Sequence, residues 1–246
     1  MHHRIPLPPY ARKPESPVHP FPYQISITAL EFLQAAIFYP VFMDSAFGLY
    51  RDSTTDPMNR IRQAFTNVGL SQEDWELHTN CLAKYIKFLP SPLMHSAVVA
   101  GLSQWDWYVG KLGKFIEFAR QHEPKSTMTE AMEHNLPLIP LRPFSEQIRI
   151  LKEASDNTLD VSVSCFENVS EMILTRNLGV HCNWEVTSYY LKTTKTTGWS
   201  LGDVREVSHS ELELWRDALY SLINNTSQLF AKIYAKVPDF DPYASS

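Results

Sequence analysis

Apolar residues in this chain recur mainly every three or four positions, which is the spacing of amphipathic helices. The longest regular series follows Ser91 and Pro92, two residue types that are favoured where a helix begins. Its apolar members are Val98, Leu102, Trp105, Val109, Leu112, Ile116 and Ala119. This regularity predicts one long helix with a continuous face toward a core.

A second well-defined helix is predicted near the end of the chain, where Ser208 and Glu211 match the capping box that opens many helices. Its apolar positions are Leu212, Trp215, Leu219, Leu222, Thr226, Leu229 and Ile233. The same spacing predicts four further helices, at 26–51, 71–88, 144–155 and 160–175. Strand-like alternation is rare, so the chain is predicted to be all-α, a helical bundle.

Three local features qualify this prediction. Pro40 is expected to kink or split the first helix, because proline has no backbone N–H to donate and crowds the preceding turn. Segment 176–191 is expected to continue or restart the helix before it, with Gly179 as a weak point. Residues 192–204 are expected to form a loop or a short hairpin.

Proline content suggests how the chain is divided. Residues 1–22 hold seven of the 17 prolines, so they are expected to form a flexible or surface-draped arm. We predict an N-terminal helical extension at 23–90 and the main helical domain at 91–236. Residues 237–246 are expected to be a tail.

Composition narrows the classes of function. The net charge of −5 argues against a large cationic surface for binding nucleic acid, but it is compatible with a small cationic cleft. The three cysteines form no Cys-x-x-Cys pair, so a reducing compartment without a disulfide framework is expected. The most apolar run, 35–43, is too short to cross a membrane, and no secretory signal is evident. The cytoplasm is therefore the expected location.

Candidate chemistry centres on the segment Arg-Asn-Leu-Gly-Val-His at 176–181. The apolar positions before it are Phe166, Val169, Met172 and Ile173. Continuing their spacing puts Arg176 where a core side chain is expected. Burying that charge unpaired is very costly, so the arginine needs a partner, a ligand or a wet cleft. His181, five residues on, is the side-chain type best suited to proton transfer near neutral pH.

In its helical setting this segment resembles the Arg-x4-6-His motif of the HEPN superfamily. Asn177 is the polar residue that usually follows the arginine, and the Tyr190-Leu191 pair ends the next predicted helix. The segment 103–109, Ser-Gln-Trp-Asp-Trp-Tyr-Val, looks like a helix of the RiboL-PSP-HEPN-like branch. The resemblance covers about 91–236. This sequence differs from the family pattern in two respects. Asp106 stands where glutamate is more frequent, and no strongly basic patch flanks the motif.

The resemblance implies a metal-independent endoribonuclease, of a kind common among toxins and phage-defence effectors. Such proteins use no cofactor, and they dimerise so that two Arg–His pairs meet in one cleft. The implied reaction is attack of an RNA 2′-hydroxyl on the adjacent phosphate, giving 2′,3′-cyclic phosphate and 5′-hydroxyl ends. The implied partners are RNA, a second copy of the chain, and an antitoxin or other defence-system protein.

Each candidate residue has an expected role. Arg176 would stabilise the phosphate oxygens and His181 would move the proton. Asn177 would contact the phosphate or fix the tautomer of His181. Asp106 would pair with Arg176, and the small residues in line with it would let the motif helix approach closely. Those small residues are Ser103, Gly110 and Gly113. Lys192 and Lys195 are candidate contacts for the RNA backbone.

Other interpretations of the same residues remain open. Arg176 could instead form an ordinary ion pair with Glu171 or another surface acid, and Asn177 could cap a helix. The two lysines could be ordinary loop residues. The remaining histidines lack metal-ligand spacing, so no metal site is expected.

Two further functions also remain open at this stage. The chain could be a non-catalytic module that dimerises or binds RNA, nucleotides or a partner. It could also be a toxin silenced by a partner nucleotidyltransferase, in which case Tyr189 or Tyr190 would be the modified residue.

Overall fold

A computed structural model describes residues 18–51, 90–122 and 136–240. Side chains are described within these ranges except at 38–51 and 90–93. The helices are α1 Pro20–Arg51, α2 Pro90–His122, α3 Phe144–Ala154, α4 Val163–Cys182, α5 Ser188–Thr193 and α6 His209–Ile233, with a 3-10 helix at Leu136–Leu141. In these ranges the single β-bridge joins Glu185 to Val204. The all-α prediction is confirmed.

Helix α2 lies at the centre of the described fold, where it packs against α1, α4, α6 and the 3-10 helix. Its side chains that form the predicted apolar series are all buried, as expected from their spacing: Val98, Leu102, Trp105, Val109, Leu112, Ile116 and Ala119. The neighbouring helices therefore surround a continuous apolar face, which positions the polar residues of α2 at its edges.

Helix α1 begins six residues earlier than predicted, at Pro20, because proline is well tolerated in the first turn of a helix. The backbone N–H of His19 donates to the Ala231 carbonyl of α6 at 2.8 Å. The last residues of the range expected to be a loose arm are thus packed against the bundle. The helix runs unbroken past Pro40, so the expected split is wrong.

The small residues of α2 make room for a different neighbour from the one expected. A Cβ on Gly113 would lie 2.1 Å from the Leu136 carbonyl oxygen, and one on Gly110 would lie 3.1 Å from a Pro140 ring carbon. At Gly110 and Gly113 the expected approach of the motif helix is therefore wrong, since these two glycines receive the 3-10 helix. Helix α4 comes close at Gly101 instead, where a Cβ would meet the Met172 methyl at 2.9 Å.

The remaining predicted elements can be compared one by one. The capping box of α6 is confirmed, with Ser208 and Glu211 each accepting from the other's backbone N–H at 3.2 Å and 2.9 Å. Helix α3 matches the predicted 144–155 to within a residue. The helix predicted at 71–88 lies outside the described residues.

The motif segment belongs to a single helix. Helix α4 passes through Gly179 without a break and ends at Cys182, and its C-cap Asn183 adopts a left-handed conformation with φ of 48°. Glycine is required at 179 for packing, because a Cβ there would lie 2.3 Å from the Trp184 ring. The expected weak point at Gly179 is therefore wrong. The chain then turns, and a separate short helix, α5, follows.

Candidate functional site

A cleft of about 480 Å³ opens beside Arg176, a volume in the range of small-molecule sites. Helices α2, α3, α4 and α5 contribute to its walls, together with the turn before α3. The α4 residues in the wall are Phe166, Ser170, Ile173, Leu174, Arg176 and Asn177. Most of them recur every three or four positions, so one face of the motif helix lines the cleft.

Arg176 is held at this cleft by one residue from α2 and one from its own helix. Its Nη1 lies 3.4 Å from Asp106 Oδ2, and its Nε and Nη2 both donate to Asn177 Oδ1 at 3.3 Å. The expected contact with Asp106 is confirmed. These contacts use three of the five N–H donors of a guanidinium, which leaves one on each terminal nitrogen. These two remaining N–H groups can donate to phosphate oxygens.

Arg176 and Asp106 are loosely paired. Burial raises the pKa of the Asp106 carboxyl above its ordinary value of 3.8, although the charge and hydrogen bond of Arg176 act in the opposite direction. The distance from Arg176 Nη1 to Asp106 Oδ2 is 3.4 Å, and the Asp106 side chain is 37% exposed. The side chain of Arg176 is also 29% exposed, so water reaches it. Its guanidinium remains suited to binding an anion that enters the cleft.

Asn177 does not cap a helix, so that interpretation is wrong. It lies well inside α4, whose N-cap is Ser162, which accepts a hydrogen bond from the Cys165 backbone at 3.2 Å. The Asn177 side chain instead accepts from Arg176 and draws the guanidinium along the helix. The contact explains why a polar residue is useful directly after the arginine.

His181 is exposed in the last turn of α4 and is not part of the cleft wall. It follows Arg176 by five positions along the helix, which is a rotation of about 140° around the helix axis. Asn177, in contrast, stands four residues before it, so the two are neighbours on one face with Cβ atoms about 5–6 Å apart. Because the Arg176 guanidinium is turned toward Asn177, the histidine lies one turn beyond it along the same face.

The two candidate lysines lie away from the cleft wall. Lys195 makes an ion pair with Glu167 on the exposed surface. Lys192 is exposed on α5. The structure therefore does not bring either of them together with Arg176.

The two candidate tyrosines differ sharply in accessibility. Tyr189 is 69% exposed and lines the cleft. Tyr190 is 1% exposed, and its hydroxyl donates to Glu171 at 2.5 Å while it accepts from Arg205 at 2.7 Å. Tyr190 is thus part of the packed interior, and Tyr189 is the one that a modifying enzyme could reach.

A buried polar network behind α5 was not predicted from the sequence. Arg205 is fully buried and donates to Glu211 at 2.5 Å and to the Tyr190 hydroxyl. Glu171 accepts from Tyr190 and from Thr194, so its proposed pairing with Arg176 is wrong. The available signal was Glu171 and Tyr190 near the motif, but their partner Arg205 lies in a loop whose path no periodicity reveals.

The aromatic part of the cleft was also missed. Phe144 and Phe166 stack with ring centroids 5.1 Å apart, and both line the cleft. The apolar spacing predicts Phe166 only as a core residue, and no motif in the sequence singles out Arg142. The run of prolines around Arg142 was the one signal that this loop turns sharply there.

The chain matches no protein-family model, no curated protein and no solved structure. Within the residues that the structure describes, no three histidine, cysteine, aspartate or glutamate side chains are grouped so that they could hold a metal ion. Likewise, none of the described helices has the length and apolar character needed to cross a membrane. What the cleft does therefore has to follow from its own residues.

Proposed function

We propose that this chain is a metal-independent endoribonuclease of the HEPN kind, acting as a toxin or phage-defence effector. Arg176 carries the proposal. Its guanidinium is fixed between Asp106 and Asn177 with two donors left over, at the mouth of a cleft large enough for a nucleotide unit. An arginine that is anchored, partly exposed and weakly paired is suited to binding the non-bridging oxygens of a phosphodiester.

In the proposed reaction, the 2′-oxygen of a ribose forms a bond to the adjacent phosphorus while the bond to the 5′-oxygen of the next nucleotide breaks. The 2′-hydroxyl proton goes to a general base, and the leaving 5′-oxygen takes a proton from a general acid. The products are a 2′,3′-cyclic phosphate and a 5′-hydroxyl end. Because the nucleophile is tethered beside the phosphate, positioning accounts for much of the acceleration.

His181 is the proton-transfer group of the proposal. It is exposed, and it stands one turn beyond Asn177 on the helix face toward which the Arg176 guanidinium points. A phosphate held by Arg176 would therefore lie on the side of α4 that His181 occupies. Each chain offers one such histidine, whereas the reaction needs both a base and an acid. A homodimer with two facing motifs would supply the second one.

The test is cleavage of single-stranded RNA in the presence of EDTA. Arg176→Ala and His181→Ala are each expected to lower the cleavage rate at least a hundredfold, the usual scale for losing a proton-transfer or charge-stabilising group. Arg216→Ala and His122→Ala are matched controls, since both residues lie outside the cleft wall and Arg216 pairs with Asp217 on α6. Both controls are expected to cleave as the wild type does.

Two other outcomes would assign a different function. If Arg176→Ala and His181→Ala both cleave as fast as the wild type, the catalytic assignment is wrong. If purified wild-type protein binds RNA without cutting it, and Arg176→Ala abolishes that binding, the chain is a non-catalytic RNA-binding module.

A second candidate function is supported by Tyr189. Its phenol is exposed in the wall of the same cleft, so a nucleotide attached to it would occupy the space beside Arg176. The chain would then be a toxin silenced by a partner nucleotidyltransferase. Mass spectrometry of protein expressed from its native operon tests this: an adenylyl group on Tyr189, absent from Tyr189→Phe, supports it, and an unmodified mass contradicts it.

A further inference from the structure

We propose that the Arg176 cleft takes up one unstacked nucleobase, which stacks on Tyr189 while the attached phosphate binds Arg176. The inference names the substrate class of the proposed site, a single-stranded nucleotide unit, and to that extent rests on the proposed function. The same cleft contains the exposed aromatic ring of Tyr189 and the guanidinium of Arg176, which has N–H groups left to donate. Nucleotides present this same pairing of a flat π-system with an anion.

Four helices contribute aromatic side chains to the cleft, and Trp105 is the one from α2. Tyr189 of α5 is 69% exposed, so most of its ring is available to a ligand. Phe166 of α4 and Phe144 of α3 stack on each other at 5.1 Å and form an apolar wall of the same cleft. Exposing a tyrosine to this extent has no benefit for the core, whereas stacking a base on it would bury that surface.

The charges of the cleft fit the phosphate. Its wall contains two arginines, Arg142 and Arg176, and one acid, Asp106. Arg176 is the cation whose remaining N–H groups can bind a ligand, in a chain whose net charge is −5. A ligand with a single phosphate near the aromatic surface would match this one guanidinium. A ligand that requires a broad cationic surface would not match it.

Hydrogen bonds in the floor of the cleft indicate that the base is held by stacking more than by its edge. Trp105 Nε1 donates to Gln147 Oε1 at 2.6 Å, and Gln147 Nε2 donates to the Arg142 carbonyl at 2.9 Å. The Gln147 amide is 4% exposed and is committed to these partners. Stacking tolerates any base, so discrimination among the four bases is expected to be small. Discrimination against duplexes is expected to be large, because a paired base cannot enter the cleft.

The experiment is fluorescence anisotropy with a labelled hexaribonucleotide whose sugars are 2′-O-methylated, which prevents cleavage by 2′-hydroxyl attack. Tyr189→Leu is expected to weaken binding about tenfold, and Tyr189→Phe is expected to bind as the wild type does. Arg176→Ala is expected to weaken binding and to lower the salt dependence of log K by about 0.7, one phosphate contact. Arg216→Ala is the matched control and is expected to change neither quantity.

Equal affinity of Tyr189→Leu and the wild type would overturn the inference, as would a blunt-ended RNA duplex that binds as tightly as the single strand. If AMP or UMP displaces the labelled strand, a free nucleotide is a sufficient ligand. If neither nucleotide displaces the strand, neighbouring phosphates also contribute to its binding. Cleavage of unmodified RNA is measured separately. If Tyr189-dependent binding is found without any cleavage, the proposed function fails and this inference stands. If RNA is cleaved but its binding does not depend on Tyr189, the proposed function stands and this inference fails.

Discussion

Arg176 and Arg205 both contact carboxylates, but water reaches them to very different degrees. The Arg205 side chain is fully buried, and its donors go to Glu211, to Tyr190 and to the Glu206 carbonyl. The Arg176 contacts are longer, at 3.3–3.4 Å, and its side chain is partly exposed. Arg205 is therefore committed to holding the fold, whereas Arg176 can exchange a weak partner for a ligand.

Replacing Arg205 with methionine is expected to destabilise the protein strongly. The substitution keeps an apolar chain of similar length but leaves Glu211, half-buried at 27% exposure, without its cation. Breaking such a buried pair costs about 3–5 kcal/mol. The free energy of unfolding from urea titration measures it. Arg216→Met, which breaks the exposed pair with Asp217, is expected to cost less than about 1 kcal/mol. A loss at Arg205 as small as that of the control would contradict the argument.

His95 makes the stability of the fold sensitive to pH. Its ring stacks on Trp184 with centroids 3.5 Å apart, and its Nε2 bonds the Arg205 carbonyl oxygen at 2.9 Å. Burial lowers the pKa of His95 below its ordinary value of 6.5, although the hydrogen bond acts in the opposite direction. Below pH 6.5 the unfolded chain therefore binds a proton more readily than the folded one. The stability that this histidine contributes is present above 6.5 and is lost as the pH falls below it.

The variant His95→Phe isolates this effect, because it retains an aromatic ring against Trp184 but cannot take up a proton. The free energy of unfolding of the wild type is expected to fall more between pH 7.5 and pH 5 than that of the variant. Urea titrations at the two pH values measure the difference. The exposed His122→Phe is the control and is expected to retain the wild-type pH dependence. Identical pH dependence in His95→Phe and the wild type would show that His95 is not the group responsible.

At the scale of the elements, the end of α4 depends on one glycine. Trp184 folds back against Gly179, and its backbone N–H donates to the Leu178 carbonyl at 3.0 Å. The same indole stacks on His95 of α2, so the turn after α4 is tied to the central helix. The last turn of α4, which carries His181, is thereby fixed in position.

Gly179→Ala sets two effects against each other. Alanine is the better helix former by about 1 kcal/mol. Its Cβ, however, would lie 2.3 Å from a ring atom of Trp184. A rigid indole ring cannot move aside as the end of a flexible side chain can. Overpacking of this kind costs about 1–3 kcal/mol, so net destabilisation is expected. In a Trp184→Leu background the clash is removed, and the same substitution is expected to be neutral or stabilising. Thermal unfolding of the four proteins measures the coupling; additive effects would contradict it.

The elements that could be predicted from the sequence are those specified by local patterns, and the contacts between distant parts of the chain were harder to predict. Helices α2, α3 and α6 follow from apolar spacing and caps, which are local. The contact of Asp106 with Arg176 was predictable because Asp106 lies in a row of small residues on α2, along which the motif helix could approach. The choice of the 3-10 helix as the neighbour of Gly113 was not predictable, because a row of small residues does not say which element fills it. The Arg205 network could not be predicted because Arg205 lies in a loop, and the sequence of a loop has no regular apolar spacing from which its course can be inferred.

At the scale of the whole molecule, one chain provides an incomplete set of groups for the proposed reaction. Arg176 lies in the cleft wall, whereas His181 stands outside it and is exposed. Val180 beside it is 60% exposed, so this turn of α4 presents apolar as well as titratable surface. A twofold arrangement of two copies would bury such surface and would bring a second histidine to the phosphate.

Mixing the wild type with His181→Ala tests this arrangement, because a shared cleft would need the histidines of both chains. Equal mixing with free exchange leaves about a quarter of the dimers with two wild-type chains, so about a quarter of the cleavage rate of an all-wild-type sample of equal total concentration is expected. If each chain acted alone, half of the chains would remain active, and about half of that rate would be measured. Light scattering at the assay concentration provides the independent check, since a monomer that cleaves RNA at the full rate cannot contain a shared site.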